Sequence, residues 1–236
     1  MTRSADRPAA PPPPETLLLL VRHAEQRTMR VFDSELSPRG ERQAETLAQR
    51  LARLPVTAVV CSTLRRARQT AAAVGRATDI EVEVVDDLDE VRISAQARHR
   101  RYSGSAAGRL EPHPDDYARA ALAGVRMIPR SRWGGEGVED LQALRARGLG
   151  AVEAVIARHP AGVVVCVSHG GLINAVLGAW CGARSDMWFV PWHTGVSAVL
   201  ASGEERILLS LNDATHLDRG EEMLSLVSGA VRPSGH

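Results

Sequence analysis

Four short segments of the chain carry residue types from which phosphoryl chemistry can be built. Arg22-His23-Ala24-Glu25 closes one apolar run and Ser168-His169-Gly170-Gly171 closes another; Ser62-Thr63-Leu64-Arg65-Arg66 and Leu88-Asp89-Glu90 follow two more. Two imidazoles with the adjacent Arg22 form a cationic pocket suited to a phosphoryl group, and one imidazole can attack phosphorus. Arg65, Arg66 and Arg68 fall on different faces of any helix they share, so one of them faces the pocket and the others are solvated. Ser62 either donates to phosphate or caps the helix behind it. Glu136 either bonds a pocket arginine or complements the dipole of the helix it opens.

The elements that position these groups follow from hydrophobic pattern. Apolar runs at 17–21, 56–61, 80–85 and 163–167 have the length and branching of buried parallel strands. Helical sequence alternates with them: from Ser37-Pro38 to about Leu54, from 63 to 76, from 138 to 159 and from 171 to about 180. Runs near 195–201 and 206–211, joined by Ser202-Gly203, predict an antiparallel hairpin at the sheet edge. The fold class expected is α/β, a three-layer α/β/α arrangement with a mostly parallel central sheet and helices on both faces. In such sheets ligands bind beyond the carboxyl ends of the strands, where both histidines stand.

Residues 92–135 lack a clean period and read as an inserted lid, part helical near 115–126. Residues 1–14 are a proline-rich leader expected to be disordered; 15–223 form the domain, and 224–236 a flexible tail. The aromatic cluster from Trp188 to Trp192 is either core or the cover of a homodimer contact, with core preferred.

Composition narrows the partners. Lys+Arg 29 against Asp+Glu 28 gives a net charge of +1, which points to neither nucleic acid nor an anionic membrane. The apolar run at 17–21 is too short for a signal peptide or a membrane span, so a cytoplasmic protein is expected. Cys61, Cys166 and Cys181 share no metal-ligand or redox spacing, and the first two read as small core residues. His99, His113, His159, His193 and His216 read as structural or exposed.

Taken in order, the segments resemble the histidine phosphatase superfamily, also called the phosphoglycerate mutase-like family. The matches are Arg22-His23-Ala24 at the family's Arg-His-Gly triplet and Leu36-Ser37-x-x-Gly40-x-x-Gln43-Ala44. They continue through the Ser62 to Ala71 pattern with Arg66, then Glu90, Gly135-Glu136, Ser168-His169-Gly170 and the closing Asn212-Asp213-x-x-His216-Leu217. Alanine at position 24 departs from the usual glycine. The resemblance implies a metal-independent, cofactor-free phosphatase acting on small phosphomonoesters through a phosphohistidine on His23. It implies Glu90 as general acid, and Arg22, Arg66 and His169 on the phosphoryl oxygens, with Ser62 and Gly170 beside them. Alternatives are a phosphoglycerate mutase-type phosphotransferase and a catalytically silent protein that binds phosphorylated ligands.

Overall fold

The computed structural model describes residues 13–28, 31–102, 136–183 and 188–217. The expected leader and tail, the lid helix near 115–126 and His113 lie largely or wholly outside them. Six strands form one sheet in the order β3-β2-β4-β1-β5-β6. They are β1 (Glu15–Arg22), β2 (Ala58–Cys61), β3 (Val82–Val84), β4 (Val163–Ser168), β5 (Val196–Ser202) and β6 (Glu205–Asp213). β3, β2, β4 and β1 run parallel; β5 is antiparallel to β1, and β6 to β5.

The central strands are apolar throughout because both of their faces are covered. Leu18 and Leu20 of β1, with Val164 and Cys166 of β4, turn to one side and pack on α4 (Leu141–Arg158) and α5 (Gly170–Cys181). Leu19 and Val21, with Val165 and Val167, turn to the other side and meet α1 (Pro38–Leu51) and α2 (Arg65–Thr78). Cys61 and Cys166 are buried on opposite faces, and burial pushes the Cys61 thiol up to about 12. Trp188 and Phe189 pack against the α4 and α5 side of the core.

Capping chemistry corrects several expected boundaries. Ser37 accepts from Gly40 N at 2.9 Å and Pro38 takes the first helical position, so α1 starts where expected. It stops at Leu51 rather than Leu54 because Pro55 disfavours helix at the residue before it; Arg53 and Leu54 close instead on Arg50 and Leu51. α4 starts at Leu141, not at 138, because Asp140 caps it, accepting from Ala143 N at 2.8 Å, while Val138 bridges to Ile93. Glu136 therefore lies in a turn ahead of the helix. The segment beginning at 92 opens with that bridge and with α3 (Ala95–Tyr102).

Register decides which side chains meet at the sheet's carboxyl edge. β1 and β4 pair from Leu17↔Val163 to Arg22↔Ser168, so His23 and His169 emerge side by side. His23 N donates to Ser168 O at 2.9 Å across that end. β2 pairs Cys61 with Val167, and Ser62 N donates to Val167 O at 3.1 Å, which sets Ser62 next to His169.

Candidate active site

His23 and His169 face each other with ring centroids 5.0 Å apart, and both are buried. His23 Nδ1 lies 2.7 Å from Ala24 O, a contact only an N–H can satisfy, so Nδ1 carries the proton and Nε2 keeps its lone pair. Arg66 Nε donates to that Nε2 at 3.1 Å, and Arg66 Nη1 to Phe32 O at 2.9 Å. Of the three neighbouring arginines, Arg66 is the buried one. Arg65 is exposed and pairs with Glu35 at 2.8 Å, and Arg68 is exposed.

Ser62 Oγ stands 2.6 Å from His169 Nε2 and only weakly, at 3.4 Å, from Leu64 N, so it partners the imidazole more than the helix. His169 Nδ1 is buried and has no hydrogen-bond partner among the described residues. Arg22 Nη1 donates to Pro191 O at 2.6 Å. A side chain at Gly170 would stand 3.8 Å from Arg22 Nε, which places that glycine against the guanidinium. Glu90 receives Gly171 N on Oε2 and Val91 N on Oε1, each at 3.1 Å, which ties its carboxylate to the first turn of α5.

Burial lowers the pKa of His23 well below the ordinary imidazole value, and Arg66, His169, Arg22 and His193 add to the effect. His169 is lowered likewise, by burial first and then by Arg66, Arg22 and Arg147. Both rings are thus neutral near pH 7. The site combines an unprotonated imidazole nitrogen, guanidiniums and the amino end of α5, an arrangement that attracts an anion without neutralising the nucleophile.

Ala24 is tolerated at the glycine position. Its φ is ordinary, its methyl is buried, and its N–H donates to Thr70 Oγ1 at 3.0 Å. Thr70 Oγ1 in turn donates to Arg66 O at 2.7 Å, binding the nucleophile's loop to α2. Glu25 is structural here: it accepts from Ser37 Oγ at 2.6 Å at the start of α1.

Three features escaped sequence reasoning. Arg147 of α4, half-buried with its side chain 8% exposed, forms an ion pair with Glu139 at 2.7 Å and donates to the carbonyls of Asp87, Asp89 and Glu90. Its signal was available, since Arg147 falls on the apolar stripe of Leu144, Gly148 and Ala151. Glu139 is the acid that engages this arginine. Thr63 is held by Asp89, whose Oδ1 accepts from Thr63 N at 2.8 Å. His193, read as structural or exposed, is buried with its ring centroid 5.8 Å from that of His23.

A mixed α/β sheet with paired histidines at the carboxyl edge defines the class of α/β protein to which this chain belongs. Within it, the sequence profile of the histidine phosphatase superfamily (branch 1) matches residues 18–214. Phosphoserine phosphatase 1 of Hydrogenobacter thermophilus is 31% identical over 209 residues, covering 85% of this chain and 93% of that protein. A probable phosphoglycerate mutase, GpmB of Cronobacter sakazakii, is 27% identical over 84% of this chain and 94% of its own length. The structure of Bacillus stearothermophilus YhfR superposes with a TM-score of 0.69 at 23% identity, covering 85% of this chain and 98% of that one. The chain belongs to the histidine phosphatase superfamily and is an enzyme of the histidine phosphatase type.

Proposed function

We propose that this enzyme hydrolyses small phosphomonoesters through a phosphohistidine on His23, without a metal. The observation that carries the reading is the committed tautomer of His23: Nδ1 bonded to Ala24 O at 2.7 Å and Nε2 turned toward the Arg66 guanidinium. In the first step Nε2 forms a bond to phosphorus, the ester P–O bond breaks, and the leaving alkoxide takes a proton from Glu90. In the second, water attacks phosphorus, gives its proton to the Glu90 carboxylate, and the N–P bond breaks to release phosphate. Arg22, Arg66 and His169 hold the three equatorial oxygens, where charge spreads in the transition state. His169 suits this role because Ser62 occupies its Nε2 and leaves buried Nδ1 for an oxygen. Arg66 exchanges its contact with Nε2 for the phosphoryl group when substrate arrives.

Phosphoserine is the first substrate to test, given the name of the Hydrogenobacter relative. The mutase relative supports a second reading in which the phosphohistidine passes its phosphoryl group to another glycerate rather than to water. A cytoplasmic setting fits three free cysteines. The purified protein is to be assayed for phosphate release from amino-acid, sugar, nucleotide and glycerate phosphates, with and without a chelator. Phosphate release that survives chelation is expected. No release from any substrate, strict metal dependence, or interconversion of phosphoglycerates without release refutes the proposal.

A further inference from the structure

The closing motif Asn212-Asp213-x-x-His216-Leu217 has no part in the proposed chemistry, yet its polar side chains converge on one stretch of main chain. That stretch, residues 188–195, leads into β5 without forming helix or strand. Asn212 Oδ1 accepts from Trp192 N at 2.7 Å, and its Nδ2 donates to Val190 O at 2.8 Å. The two partners flank Pro191, which has no N–H, so the one main-chain polar group left between them is the Pro191 carbonyl. That carbonyl accepts from Arg22 Nη1 at 2.6 Å.

The rest of the motif braces the same turn. Arg50 pairs with Asp213 at 2.6 Å and stands 3.2 Å from His216 Nδ1. A guanidinium only donates, so Nδ1 accepts and the ring proton sits on Nε2, which donates to Thr194 Oγ1 at 2.9 Å. Thr194 N donates to Arg22 O at 3.0 Å, and Arg22 N to Gly195 O at 3.2 Å. Asn174 of α5 fastens the start of the stretch, accepting from Trp188 N at 3.0 Å and donating to Phe189 O at 3.2 Å. Arg22 is thus held by main chain and guanidinium to a segment that two side-chain amides hold in turn.

The backbone is shaped to deliver the Asn212 amide. Asn212 has φ 54°, in the left-handed region that asparagine enters more readily than most residues. A side chain at Gly195 would collide with Asn212 Oδ1, so the amide reaches the turn because position 195 has none. The consequence falls on Arg22. Its N–H groups form a rigid planar fork, and tying one Nη to a carbonyl sets the plane of the whole guanidinium.

We propose that Asn212 is a positioning residue for Arg22: by holding Val190 and Trp192 it aims the Pro191 carbonyl, and that carbonyl sets the guanidinium for the phosphoryl group. The inference rests on the phosphomonoesterase reading of the site, and its test separates the two. Binding of orthovanadate and inorganic phosphate to the full chain is measured by calorimetry for the wild type, Asn212→Gly, Arg22→Met and the double variant. Turnover of phosphoserine and thermal midpoints are recorded alongside. Glycine keeps the left-handed backbone and removes both amide bonds. Asn212→Gly is expected to weaken both anions about tenfold, and the double variant to bind them within about twofold of Arg22→Met alone. General loss of packing would instead weaken them equally with or without the Arg22 guanidinium. If Asn212→Gly does not fold, Asn212→Asp enters the same cycle, since it keeps the acceptor for Trp192 N and loses the donor to Val190 O. Wild-type anion affinity in the Asn212 variant, losses that add in full in the double variant, or an Arg22→Met variant that binds both anions normally overturns the role of Asn212, whatever the turnover. Coupled losses in a protein that hydrolyses no phosphomonoester leave Asn212 positioning an anion-binding arginine and overturn the enzymatic reading instead. A wild type that binds neither anion overturns both.

Discussion

Replacing Arg147 with Met separates the stability of the acid's support from its placement. Arg147 donates to Glu139 through Nε at 2.8 Å and Nη2 at 2.7 Å, and to Asp87 O at 2.7 Å, Asp89 O at 2.9 Å and Glu90 O at 3.2 Å. Its side chain and that of Glu139 are only 8% and 10% exposed. Removing one member of such a buried pair leaves the other charge uncompensated and costs about 3–5 kcal/mol. For a domain of this size that lowers the thermal midpoint by roughly 10 °C. The same change frees the peptide of Glu90, and a shift of about 1 Å in a catalytic group costs on the order of 100-fold in kcat. The double variant Arg147→Met with Glu139→Gln removes the stranded charge and is expected to regain most of the stability. It does not restore the carbonyl clamp, so kcat on alkyl phosphates stays low. An aryl ester such as p-nitrophenyl phosphate, whose leaving group departs without a proton, is expected to lose much less. Urea denaturation and steady-state kinetics on both ester types read the two effects. Full alkyl-ester turnover in either variant refutes the claim that Arg147 places Glu90.

His23→Ala is expected to abolish turnover by several orders of magnitude while phosphate binding persists, read by calorimetry; a slow but undiminished rate points to another nucleophile. Stability is expected to fall as pH drops below about 6.5, because unfolded His23, His169 and His193 bind protons that the buried native rings, with their lowered pKa values, refuse. The slope approaches about 1.4 kcal/mol per pH unit for each ring, and urea midpoints that are flat between pH 7.5 and 5 in phosphate-free buffer contradict the buried neutral state. Gly40→Ala drives a methyl into the carbonyl of Glu25 beside the nucleophile loop; a loss of roughly 1–3 kcal/mol in chemical denaturation is expected, and an unchanged midpoint means the loop yields there.

Much of this architecture was legible because the features that create it are local. A run such as Val163 to Val167 reads as a strand from branching alone, and Ser37-Pro38 announces a helix by its capping chemistry. The convergence of His23, His169, Ser62 and Arg66 followed from one rule about strand ends. What escaped depends on contacts between distant residues. Arg147 looks like any helical arginine until α4 is laid against the loop 86–90, and its carbonyl partners have no side-chain identity for a pattern to register. His193 escaped because strand ends were sought only among parallel strands. An antiparallel strand brings its beginning to the same edge, and that reading needed only the hairpin already expected at β5 and β6.

The two halves of the proposed reaction are held from opposite faces of the sheet. Thr70 of α2 bonds both Ala24 N and Arg66 O, so the loop of His23 and the Arg66 guanidinium, the proposed phosphate ligand, move with the helix on one face. Arg147 of α4 holds the Glu90 loop from the other face. Between them stands β4, whose register with β1 and β2 sets His169 and Ser62 laterally, while Ser168 Oγ donates to Leu88 O at 2.7 Å and ties the acid's loop to the sheet. The spacing between acid and nucleophile is therefore a property of the three layers rather than of either loop. A substitution that shifts one helix against the sheet disturbs one chemical partner and leaves the other in place, which is why damage on the α4 side is expected to fall on proton transfer and damage on the α2 side on attack at phosphorus.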